Sequence, residues 1–109
     1  VTYSGTTFAM AGAVTMTVSQ TITANAAMTI SGAITSNFSV NIVYAGTNTI
    51  TLSGTGTYND NYSTTGTVSV ANSGSATISG NLNIGNSTIL TVSGSNFTVT
   101  GTTTVNGSL

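Results

Sequence analysis

The chain has 109 residues, a formal net charge of −1, and no Lys, Arg, His, Cys, Pro or Trp. Thr, Ser, Gly and Asn occur 25, 15, 13 and 12 times, and Asp60 is the one acidic side chain. With no cationic side chain, the chain lacks the phosphate contacts behind nucleic-acid affinity and the attraction to anionic lipid head groups, so neither a nucleic acid nor a membrane is an expected partner.

The residues between these polar positions are Val, Ile, Leu, Met, Phe, Tyr and Ala, with Thr throughout. β-branched and aromatic residues favour strands, which predicts an all-β chain folded as one domain over 1–109. It opens at Val1 without Met, a basic segment or an apolar segment, the pattern of a mature, processed protein. Val1–Val14 is a candidate strand for donation to a neighbouring copy. Val14, Met16, Val18 and Ile22, then Phe38, Val40, Ile42 and Tyr44, fall on alternate positions. Period 2 predicts strands with one buried face and a Thr/Ser/Asn face outward. Asn59-Asp60-Asn61 reads as a polar turn between Tyr58 and Tyr62. From there on the strands shorten and Gly punctuates them, most regularly over 77–109.

The punctuation repeats. Thr, an apolar or aromatic residue, Ser and Gly begin at Thr2, Thr29, Thr51, Thr77 and Thr91, with successive starts 27, 22, 26 and 14 residues apart. Related tetrads begin at Thr98 and Thr104, only 7 and 6 residues further on. Each unit predicts a strand of about three residues with an inward apolar side chain and a Gly at the corner. Units of this size suit a β-solenoid with about three faces to a turn, stabilised by stacking each rung on the next. The longer alternating stretches suit a β-sandwich or jelly-roll filament subunit equally well.

The stretch Leu90–Leu109 resembles the low-complexity rungs of bacterial surface adhesins, autotransporter passengers and phage tail fibres. The hydroxyl-rich, nearly chargeless composition is similar to that of archaeal extracellular filament subunits, which tend to be glycosylated. Both resemblances imply a surface fibre and carry no functional residue to this chain.

An enzyme is not expected. One carboxylate cannot form an acid–base pair, and the Ser and Thr hydroxyls have no His or Lys to activate them. Zinc sites need Cys or His, and calcium sites gather several carboxylates, so no metal or other cofactor is expected. Asn-x-Ser/Thr sequons at Asn37, Asn61, Asn86, Asn96 and Asn106 are candidate N-glycosylation sites, Asn61 foremost because of its turn-like setting. Tyr44, Tyr58 and Tyr62 are candidate aromatic contacts for a carbohydrate. Thr-x-Thr triplets, among them Thr15/Thr17 and Thr98/Thr100, would align on adjacent rungs as a ladder of methyl and hydroxyl groups. Such ladders organise water in ice-binding solenoids, and ordinary β-propensity produces the same triplets.

Monomeric β proteins blunt their sheet edges with Lys, Pro or inward charges, and none of these devices is present. The expected function is therefore a structural subunit of an extracellular, cell-surface filament, with other copies of itself and glycans as partners. A carbohydrate-binding adhesin or phage-fibre module and an ice-binding solenoid are the alternatives.

Overall fold

In the computed structural model, residues 8–94 and 96–109 are described in full and residues 2–3 by their backbone. The chain is all-β and winds as a solenoid of about five turns, three short strands to a turn. The first turn holds β1 (Thr2–Tyr3), β2 (Phe8–Met10) and β3 (Val14–Met16). The second holds β4 (Gln20–Ala24), β5 (Met28–Ile30) and β6 (Ile34–Ser36). The third holds β7 (Ile42–Gly46), β8 (Thr49–Leu52) and β9 (Gly56–Tyr58). The fourth holds β10 (Tyr62–Thr64), β11 (Ser69–Asn72) and β12 (Ala76–Ile78). The fifth holds β13 (Leu82–Ile84), β14 (Ile89–Val92) and β15 (Phe97–Val99), and β16 (Thr103–Val105) starts another.

Every strand pairs in parallel with its counterpart one turn away, giving three sheets. Sheet A runs β1-β4-β7-β10-β13-β16, sheet B runs β2-β5-β8-β11-β14, and sheet C runs β3-β6-β9-β12-β15. Partners such as Thr57 and Thr77, or Ser63 and Asn83, are 20 residues apart. Thr35 and Thr57 are instead 22 apart, because five residues, 37–41, separate β6 from β7 where three separate β9 from β10. The extra residues form a corner at which Ser39 takes φ +62° and Phe38 is 80% exposed.

Register stacks like on like. Met28, Ile50, Val70 and Leu90 form one inward column of sheet B, and all four are buried. Ile22, Tyr44, Thr64 and Ile84 form an inward column of sheet A, also buried. No single turn covers its own apolar side chains; each is covered by the turns above and below. Full burial of a Val, Leu or Ile side chain is worth about 1.5–3 kcal/mol, so stability accrues turn by turn.

Size compensation holds the columns level. The sheet C column Met16–Ser36–Tyr58–Ile78 places a small serine beneath a tyrosine, and the neighbouring column Val14–Ile34–Gly56–Ala76 has glycine beside that ring. A Cβ on Gly56 would lie 2.6 Å from the Tyr58 ring. Protein interiors pack too tightly for both to carry side chains there.

This architecture bears on three expectations. The sandwich alternative gives way to the solenoid. The long strands Val14–Ile22 and Phe38–Tyr44 are each broken by a corner, and Val18 (60% exposed) and Phe38 leave the inward face at those corners. Alternation continues across a three-residue corner because the chain re-enters the core in phase. Within Val1–Val14, the candidate for donation, the described strands pair in their own chain, β1 with β4 and β2 with β5, and residues 1 and 4–7 lie outside the described residues.

The tetrads also find their meaning here. Those beginning at Thr29, Thr51 and Thr91 lie in sheet B, those at Thr77 and Thr98 in sheet C, and that at Thr104 in sheet A. Their uneven spacing counts faces crossed, so one motif serves three sheets.

Candidate functional site

Tyr44, Tyr58 and Tyr62 come together, but inside. Their exposures are 0%, 1% and 0%, and the Tyr58 and Tyr62 rings meet edge to face at 4.9 Å between centroids. The Tyr44 and Tyr58 hydroxyls share a 2.7 Å hydrogen bond, whereas the buried Tyr62 Oη has no partner. Burial pushes all three phenols up, Tyr58 to about 12 and the others well above the ordinary value of 10.0. A sugar platform needs an open ring face, and these rings have none. They are core residues, and the expected aromatic binding cleft is not built from them.

Asn59-Asp60-Asn61 forms a corner between β9 and β10, and its amides are engaged in holding the turns together. Asn59 Nδ2 donates to the Ser36 carbonyl at 2.7 Å, and Asn61 Oδ1 accepts the Asn81 backbone N–H at 2.8 Å. Asn81 Oδ1 in turn accepts the Thr102 backbone N–H at 2.9 Å. The corner is thus an asparagine ladder along the solenoid axis. Among the described residues no group of His, Cys, Asp and Glu could hold a metal ion.

Of the sequons, Asn37, Asn86, Asn96 and Asn106 are exposed, while Asn61 is half-buried within the ladder. Asn37 lies at the protruding corner beside Phe38, and Asn86 precedes Ser87, whose φ is +64°. A transferase approaching the chain meets these four positions more readily than Asn61, reversing their expected order.

The two ends of the solenoid differ from its middle. Beside the first turn lies an apolar recess of about 380 Å³, lined by Phe8, Met10, Val14, Met16, Met28 and Ile30 among others. All three methionines of the chain line it; their unbranched thioether chains adapt to irregular space. At the far end Val92 (36%) and Val105 (44%) are exposed, although their columns are buried in the middle turns. There β15 and β16 each pair on one side only among the described residues, while the outer edge of β14 is partly covered by Ser108, whose carbonyl accepts the Leu90 backbone N–H at 2.9 Å.

Outward columns carry the remaining surface chemistry. On sheet C, Thr15, Thr35, Thr57, Thr77 and Thr98 are successive lateral partners. The spacing of 20, 22, 20 and 21 residues that aligns them was the signal to follow in the sequence, where the Thr-x-Thr triplets drew attention instead. No protein-family model, curated protein or solved structure matches this chain.

Proposed function

We propose that the chain is a structural module of an extracellular, cell-surface fibre, in which copies join end to end by continuing the three sheets. The single observation that carries this reading is the pair of open ends. Among the described residues the outer edges of β15 and β16 are unpaired and the inward Val92 and Val105 are partly exposed, which a further rung would cover, and the chain has no Lys or Pro to guard them; Ser108 covers only part of the β14 edge. Continuing the parallel register sets the last turn of one copy against the first turn of the next, a head-to-tail contact that generates a filament rather than a closed dimer. Of the two modes of edge pairing, rung stacking and a donated terminal strand, the pairing of β1 and β2 within their own chain favours rung stacking.

Glycans on Asn37, Asn86, Asn96 or Asn106 would supply the solubility that charge does not. Asn37, at the corner between β6 and β7, lies away from the end edges, whereas Asn96 and Asn106 adjoin the edge strands β15 and β16.

Negative-stain electron microscopy with mass per length tests the proposal. Unbranched filaments of uniform width are expected, with a Val105→Lys substitution on the exposed last strand stopping their growth. A monodisperse monomer at high concentration would overturn the reading.

A further inference from the structure

The outward face of sheet C differs from the other two in a way that composition does not explain. Its central column is threonine at all five successive turns: Thr15, Thr35, Thr57, Thr77 and Thr98. The corresponding column of sheet B is interrupted by Ala9 and Ala71, and that of sheet A includes Val43 and Asn83. Strand propensity alone would favour threonine on all three faces equally.

The five side chains also stand free. None of their hydroxyls is hydrogen-bonded to another protein group among the described residues, in contrast to Thr64 and Thr88, whose hydroxyls pair internally at 2.6 Å. Thr15, Thr77 and Thr98 are exposed, and Thr35 and Thr57 half-exposed. Flanking positions on the same face carry Ala, Ser, Thr and Asn, with Val18 and Phe38 exposed at the corners beyond β3 and β6.

Backbone pairing fixes the ladder period at about 4.8 Å, and a residue two positions along a strand lies about 6.6 Å away. Thr17, Thr55 and Thr100, two positions from Thr15, Thr57 and Thr98, add hydroxyl-bearing residues where the strands meet the corners. The ladder period lies close to an oxygen repeat of hexagonal ice. The methyl groups order adjacent water while the hydroxyls hydrogen-bond it, and the face carries no charge to impose a competing hydration shell.

We propose that the sheet C face is an ice-binding plane, its ligand the ordered water of an ice surface and the Thr15–Thr98 column its centre. It is independent of fibre assembly, since the ladder lies along the side of the solenoid and the open edges at its ends.

The test is incorporation of the fluorescently labelled chain into a slowly growing ice hemisphere, with thermal hysteresis measured in parallel. Thr77→Tyr and Thr98→Tyr place bulky, strand-compatible side chains on the ladder, and Thr29→Tyr places one on sheet B. The wild-type chain and Thr29→Tyr are expected to enter the ice, and both ladder variants to be excluded to background, with circular dichroism unchanged in all. Exclusion of the wild-type chain, uptake of the two ladder variants, or equal loss in Thr29→Tyr would each overturn the proposal. Adsorption to crystalline polysaccharide without entry into ice would overturn it in favour of a sugar lattice. Mass per length of Thr77→Tyr fibres, expected to match wild type, keeps this test separate from that of assembly.

Discussion

Tyr44 and Tyr58 face each other across the third turn with their hydroxyl oxygens 2.7 Å apart, in a core with no carboxylate or cation. Each hydroxyl is the other's partner, and their rings meet at 81°. Replacing one strands the other, whose desolvation then costs about 1–3 kcal/mol, whereas replacing both leaves an apolar pair of nearly the same shape. Tyr44→Phe and Tyr58→Phe are each expected to lower unfolding stability by that amount, and the double variant by much less than the sum. A double-mutant cycle in denaturant measures the difference; additive losses would show that the bond contributes nothing.

Tyr62 gives the opposite expectation. Its Oη is buried without a partner, so the folded chain already bears that desolvation cost. Tyr62→Phe removes the oxygen and keeps the ring contacts at 4.9 Å with Tyr58 and 5.1 Å with Tyr44. A gain of roughly 1 kcal/mol is expected in thermal or denaturant unfolding. A loss would mean that an ordered water satisfies the hydroxyl.

The same cluster sets the response to alkali. Burial raises the phenols in the folded chain above their ordinary 10.0, Tyr58 to about 12, where the hydrogen bond with Tyr44 tempers the rise. Below pH 10 the phenols are neutral folded or unfolded, and their contribution is intact. Above it the unfolded chain loses protons that the folded chain retains, so stability falls as pH rises through 10 towards 12 and beyond. Tyrosinate absorbance should appear together with loss of the circular dichroism signal. Three tyrosines titrating near pH 10 with the fold intact would contradict the burial.

Ionic strength should matter little. One acidic side chain leaves no charge network to screen, so both unfolding and end-to-end association rest on apolar burial and backbone hydrogen bonds. Filament mass and melting temperature are expected to be the same at low and physiological salt, checked by sedimentation and calorimetry. Dissociation on that change would refute assembly through the open edges.

The class of fold was legible in the sequence because Gly punctuation and short apolar units leave few other ways to bury side chains. Register was harder to read. The Thr-apolar-Ser-Gly tetrads catch the eye but recur on all three faces, so their spacing mixes faces with turns. A 20-residue comparison would have aligned Asn41 with Asn61 and Asn81, and Gly54 with Gly74 and Gly94, and exposed the turn length directly. The tyrosines were misplaced for a physical reason: alternation marks the inward face but says nothing of what lies opposite. Ser36 and Gly56, the small residues that make room for the rings, neighbour them only once the turns are stacked.

The glycine column along sheet B's corner offers the sharpest test of that stacking. A Cβ on Gly54 would lie 2.3 Å from the Gly32 carbonyl oxygen and 2.5 Å from that of Ser31, both backbone atoms held by the turn below. A Cβ on Gly12, at the first-turn end of the same column, would meet nothing within 4 Å. The two substitutions are alike in chemistry and in their effect on the unfolded chain, so any difference reports the contact between turns. Gly54→Ala must spread adjacent rungs and is expected to cost about 1–3 kcal/mol. Gly12→Ala should be neutral or gain up to about 1 kcal/mol from reduced freedom of the unfolded chain. Paired denaturant unfolding of the two variants decides the matter, and equal stabilities would mean that the turns are not stacked at this corner as the register requires.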